Sequence, residues 1–146
     1  MAVFKDESGR EWLIRRIVVL DLKRIKSECG VDLNRAMSSY EGLADEVFDD
    51  TGEKAVSVLY YFCREQAKDR GVSEDDFAGI FTGDVLEQAR QALVEEMGFF
   101  SPRSPIGMVM KDEKTRRAFW NKTATLTSQT IQRRLDKLTL DDLPTS

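Results

Sequence analysis

The sequence predicts a mainly α fold that opens on a short β-hairpin, and three observations carry that reading. Apolar residues alternate near the N-terminus around a turn-forming Asp6-Glu7-Ser8-Gly9. From Val19 onward they recur at three- and four-residue spacing instead, the period of a helix face. Glycines and capping residues then punctuate the helical stretches at their ends. The 146 residues are 41% hydrophobic and 33% charged, which suits one domain with a core, or one domain and a tail. The predicted architecture is a short N-terminal hairpin packed on a bundle of about five helices, with a C-terminal helix beyond a Pro-rich linker.

Residues 2–18 read as the hairpin. Val3 and Phe4 begin one strand, and Gly9 supplies the positive φ that the turn needs. Arg10 to Val18 forms the return strand, with Trp12 and Ile14 on one face and Leu13 on the other. A lone hairpin is marginal in water, so this one must pack on the helices. In the first helix Leu22, Ile25 and Cys29 share a stripe that ends at Gly30, a C′ residue. Cys29 reads as a small core hydrophobe, since no base is at hand to activate it.

Asp32 is the expected N-cap of a short helix bearing Leu33, Ala36 and Met37. Ser38, Ser39 and Gly42 read as a connection, followed by a helical turn or two over 43–49. Asp50-Thr51-Gly52-Glu53 has the pattern of a capping box. The helix behind it buries Ala55, Val56, Leu59, Phe62, Cys63 and Ala67, carries Tyr60 and Tyr61 at the edges of that face, and stops near Arg70-Gly71. Ser73 caps the next helix, whose first turn is Glu74-Asp75-Asp76 and whose inner face is Phe77, Ile80 and Phe81. Thr82-Gly83-Asp84 leads into a helix with Val85, Leu86, Ala89, Ala92, Leu93 and Met97, the alanines leaving room for a close neighbour. Phe99-Phe100 closes the domain. Pro102 and Pro105 cannot both sit inside a helix, so residues 101–107 read as a linker or a sharp turn, and a last helix runs from about Asp112 to Leu138.

The expected divisions are a hairpin plus acidic helical domain over 1–100, a linker over 101–107, a basic helical segment over 108–140 and a frayed tail over 141–146. Charge follows the same division. The chain has 22 Lys and Arg against 26 Asp and Glu, a net of −4. Residues 1–100 hold 13 against 21, a net of −8, and residues 106–138 hold 8 against 3, a net of +5. Such a split suits a tail that meets polyanions, a body and tail that attract each other, or two faces that are simply solvated.

Chemistry is scarce. There is no histidine, which removes the commonest general base and metal ligand. Cys29 and Cys63 are too far apart in sequence for a Cys-x-x-Cys site. The acidic runs Asp49-Asp50 and Glu74-Asp75-Asp76 lack the alternating ligands of a calcium loop, and capping explains them. No catalytic residue, cofactor or metal is expected, and neither is an apolar membrane span. The basic cluster Lys111, Lys114, Arg116, Arg117 and Lys122 surrounds Phe119 and Trp120. That mixture suits a helix docked through aromatic anchors, or a nucleic-acid surface.

The order of elements also resembles a known family. Phe4-Lys5-Asp6-Glu7-Ser8-Gly9-Arg10-Glu11-Trp12, then a strand and the helix Asp21-Leu22-Lys23-Arg24-Ile25-Lys26, resembles the start of tailed-bacteriophage tail assembly chaperones. Gly30-Val31-Asp32-Leu33 is similar to the step that follows their first helix. Leu59 to Ala67 resembles their central helix, and Gly71 to Phe77 and Asp84 to Leu93 their later ones. The resemblance covers residues 3–100 and implies a small, non-enzymatic helical protein. Such proteins bind the tape measure protein and keep it soluble while the tail tube polymerises. They work in the bacterial host cytoplasm and are absent from the mature virion. The expected partner-binding residues are Tyr60, Tyr61, Phe99, Phe100, Arg116, Arg117, Phe119 and Trp120. Ordinary core packing is the competing reading for each aromatic. Expected partners are the tape measure client and a second copy of the chain, without a membrane. A nucleic-acid-binding or regulatory adaptor that uses the basic helix is the second reading.

Overall fold

In the structure, a computed structural model that describes residues 2–123, the N-terminal alternation forms an antiparallel pair. Strands β1 (Ala2–Lys5) and β2 (Glu11–Ile14) set Phe4 opposite Trp12 and Val3 opposite Leu13. Phe4, Trp12 and Ile14 face inward and are buried, while Val3 and Leu13 face out. Asp6 ties the turn: its carboxylate accepts from the Ser8 and Arg10 backbone N–H groups, the Ser8 hydroxyl and the Trp12 indole. The return strand stops at Ile14, earlier than the sequence suggests, and Arg15 to Val18 become a link in which Asp21 holds Arg15.

Helix α1 (Val19–Cys29) ends on Gly30 at φ 69°, as the sequence implies. Asp32 caps α2 (Leu33–Ser38) by accepting from the Arg35 N–H at 3.1 Å. Ser38 to Gly42 is not a loose connection. Ser39 caps α3 (Tyr40–Glu46), and Gly42 lies buried inside that helix against the Arg35 backbone carbonyl. Helix α4 (Glu53–Asp69) begins without the expected capping box. Gly52 precedes it at φ 77°, and Asp49 accepts from the Lys54 N–H at 3.1 Å instead. At its far end Val72 donates back to Ala67 across Gly71, the αL stop the sequence predicts.

Helix α5 (Glu74–Ala78) is short, with Ser73 as N-cap and Phe77 fully buried. Helix α6 (Gly83–Phe100) buries Val85, Ala89, Ala92, Leu93 and Met97. Of the linker and the sharp turn, the structure has the turn, closed by the Ser104 N–H donating to the Ser101 carbonyl at 3.1 Å. Ser104 caps α7 (Pro105–Val109), Pro105 sits in the first turn where its missing N–H costs nothing, and Gly107 lies against the Ser101 carbonyl. The chain divides after Met110, into units Met1–Met110 and Lys111–Ser146.

Within the first unit β1 packs on α6 and β2 on α4, while α1 and α5 also lie on α4. The core includes Phe4, Trp12, Ile14, Ile25, Leu59, Phe77, Leu93 and Met97, with Trp12 edge-on to Phe77 at 5.1 Å. In the second unit residues 113–123 are helical, and Asp112 caps that helix through the Thr115 N–H at 2.8 Å. The rest of the predicted C-terminal helix, and the frayed tail over 141–146, lie outside the described residues. The protein is mainly α, with a two-stranded N-terminal hairpin.

Candidate functional site

Two open surfaces of the first unit bring apolar side chains together with charged ones. The first surrounds the C-terminal end of α6. Phe99 projects into solvent at 75% exposure, and Phe100 is half-buried beside it. With Arg16, Ile17 and Glu96 they line an open pocket of about 420 Å³. The chain leaves this pocket at Ile17 and runs into Val18, Val19 and Leu20, which are 52%, 74% and 48% exposed.

The local cause of that exposure is Asp21. Its carboxylate is buried and accepts four hydrogen bonds: two from the Arg15 guanidinium at 2.7 and 2.8 Å, one from the Val18 N–H at 2.8 Å and one from the Tyr61 hydroxyl at 2.8 Å. Asp21 and Ile25, four residues apart, therefore mark the inner face of α1, and Val19 and Leu20 turn outward. Burial alone would raise the Asp21 carboxyl. The bonds from Arg15, Val18 and Tyr61, with the Arg15 charge, outweigh it and hold the group at about 2. The same burial and the bond to Asp21 push the Tyr61 hydroxyl up.

The second surface is a groove of about 480 Å³ between α4, α5 and the start of α6. Val56, Tyr60, Phe81 and Leu86 are half-buried along it, over the fully buried Phe77. Their rings interlock, with Tyr60 and Phe81 at 5.4 and 5.1 Å from Phe77. Glu53, Glu74 and Asp75 stand exposed at the rim. Gly52 closes one end, where a Cβ would come within 2.7 Å of Leu86. Arg90 reaches back from α6 and donates to the Val47 and Asp49 carbonyls at 2.9 and 2.6 Å, fixing the loop that leads into α4. Burial lowers its pKa, opposed by Asp49.

The predicted contact residues divide accordingly. Tyr60 belongs to the groove, and Phe99 and Phe100 to the pocket. Tyr61 does not offer a surface. It is 7% exposed, and its hydroxyl is committed to Asp21, because the buried face of α4 is one residue wider than the apolar spacing suggests. Phe99 in turn does not close the domain, although Phe100 is half-buried. Arg116, Arg117, Phe119 and Trp120 lie on the helix of the second unit. Arg116, Phe119 and Trp120 are half-buried, the two rings sit 5.0 Å apart, and Arg117 is exposed and paired with Glu113.

Val18 to Leu20 were not legible as a surface, because the same residues read equally well as strand end and helix start. Both thiols are subdued. Burial raises the pKa of Cys29, and pushes that of Cys63 up to about 12. Among the described residues no group of three or more His, Cys, Asp and Glu side chains could hold a metal ion, and no helix is long and apolar enough to cross a membrane. The arrangement can bind apolar side chains. Compared with protein-family models, curated proteins and solved structures, the chain matches none.

Proposed function

We propose that this chain is a non-enzymatic holding protein of the tail assembly chaperone kind, whose client is the tape measure protein. It binds an apolar helical stretch of that client and keeps it soluble in the host cytoplasm during tail tube assembly. The observation that carries this reading is the open pocket at Phe99, continued in the chain by the exposed Val18, Val19 and Leu20. Exposed apolar area of this kind is the complement of an amphipathic helix that inserts apolar anchors at i and i+3 or i+4. The ordered resemblance over residues 3–100 supplies the class of client, and the acidity of the first unit supplies solubility for the complex.

Co-expression with the tape measure protein tests the reading. The wild-type chain should move the client into the soluble fraction and co-purify with it. Phe99→Asp together with Val19→Asp should abolish both effects while circular dichroism stays helical, because neither side chain is in the core. A client whose solubility is indifferent to the chain sinks the proposal.

The second reading, a nucleic-acid-binding adaptor, draws on the exposed Lys111, Lys114, Arg117 and Lys122 of the second unit. It requires binding to DNA or RNA that weakens steeply with salt and whose salt slope falls on Arg116→Ala and Arg117→Ala. No binding at low salt removes it.

A further inference from the structure

We infer that the acid-rimmed groove over Phe77 is the docking site for the basic aromatic segment of a second copy of this chain. Three observations converge on that occupant. The groove has an apolar floor that remains open, with Tyr60 and Phe81 only half-buried over Phe77. Its rim is unneutralised: among the described residues Glu53, Glu74 and Asp75 take part in no ion pair, whereas Glu28, Glu46 and Asp49 all do. The chain itself carries the complement. Residues 111–122 place Lys111, Lys114, Arg116, Arg117 and Lys122 around Phe119 and Trp120, against only Asp112 and Glu113.

Aromatic anchors flanked by cations are the chemistry that an apolar floor with an anionic rim recognises. The rings fill the floor while the flanking charges meet the rim. The groove lies in the stretch 41–100, which holds 5 Lys and Arg against 15 Asp and Glu, so the field over it attracts the segment from a distance. A second copy is the favoured occupant because each copy brings one groove and one segment. Two copies related by a two-fold axis then close with two equal contacts, and the second contact forms at high effective concentration. The groove shares no lining residue with the Phe99 pocket, so client binding and pairing can be tested separately.

A charge swap on the full-length chain decides the matter, read by light scattering and sedimentation. The wild-type chain should run at twice the monomer mass at low salt and dissociate as salt screens the rim. Glu74→Lys with Asp75→Lys should be monomeric alone, since a cationic rim faces a cationic segment. Arg116→Glu with Arg117→Glu should also be monomeric alone, since both partners are then anionic. Mixing the two variants should restore the double mass, because each mutated element then meets its opposite charge. The milder Glu74→Gln with Asp75→Asn keeps the first turn of α5 free of added cations and should weaken pairing about tenfold. A wild-type chain that stays monomeric at low salt, a neutral rim that pairs as tightly as the wild type, a reversed rim that still pairs alone, or folded variants that fail to pair on mixing each overturn the inference. So does a monomer that, with Trp12→Phe leaving Trp120 as its single indole, changes its fluorescence on the rim changes, which would place the segment in its own groove.

Discussion

Asp21 links three parts of the chain that are distant in sequence. Its carboxylate holds Arg15 from the link after β2, caps the first turn of α1 and receives the Tyr61 hydroxyl from α4. Removing its charge leaves Arg15 facing a neutral amide in a half-buried setting, so Asp21→Asn should cost about 2 kcal/mol in urea unfolding. Tyr61→Phe loses one hydrogen bond and keeps the ring, and should cost about 1 kcal/mol. Cys63 provides a second check at this scale. It is fully buried, its thiol faces the Leu13 carbonyl, and its pKa is pushed up to about 12. A thiol reagent at neutral pH should modify Cys29 in the folded protein and reach Cys63 only when the chain unfolds.

Helix boundaries and packing faces were legible where the signal is local. Gly30, Gly71, Asp32 and Ser73 each do what their residue type predicts, because capping is settled within four residues of chain. The exceptions are places where a distant element intervenes. Gly42 looked like punctuation, yet it is the point where α3 lies against the carbonyl of Arg35, and a Cβ there would collide with backbone. Gly42→Ala should therefore destabilise the protein in thermal or urea unfolding, although alanine favours a helix over glycine by about 1 kcal/mol. Gln66 was likewise invisible in sequence. Its side-chain amide donates to the Leu13 carbonyl at 2.8 Å and accepts from the Leu13 N–H at 2.9 Å, so a helix residue stands in for a third strand. That contact covers the open edge of a two-stranded sheet, which otherwise invites pairing with another chain.

At the scale of the first unit, acid should act chiefly through two buried carboxylates, Asp6 and Asp21. Asp6 and Asp21 have an ordinary value of 3.8 and are both held at about 2 in the folded protein. At Asp6 burial again opposes the shift, and the bonds from Ser8, Trp12 and the Arg10 backbone overcome it. Between pH 4 and 2 the unfolded chain therefore takes up protons that the folded chain refuses. Stability from these groups is full above about pH 5, falls as the pH drops through that window and is gone below it. Each contributes about 1 to 2 kcal/mol after solvent screening is allowed for. Urea titrations at pH 6, 4 and 2 should show the loss, and Asp21→Asn should flatten the profile. The two surfaces also belong to this scale. The aromatic residues that line them were visible in sequence, but their sorting was not. Tyr60 and Tyr61 are adjacent, and only their position against α1 and α5 sends one outward and the other into the core.

Residue order alone determined the mainly α class, the hairpin with Trp12 and Ile14 inward, most helix ends and the separation of an acidic body from a basic segment. Those features depend on periodicity, capping and charge count, which neighbouring residues fix without reference to the rest of the chain. Only the tertiary structure decided that Tyr61 is core and Phe99 is surface, that α7 occupies the Pro-rich stretch, and that Phe77, Tyr60 and Phe81 form a groove rimmed by acids. Each of these depends on which element covers which face, and burial of an apolar side chain is a property of its neighbours in space rather than in sequence.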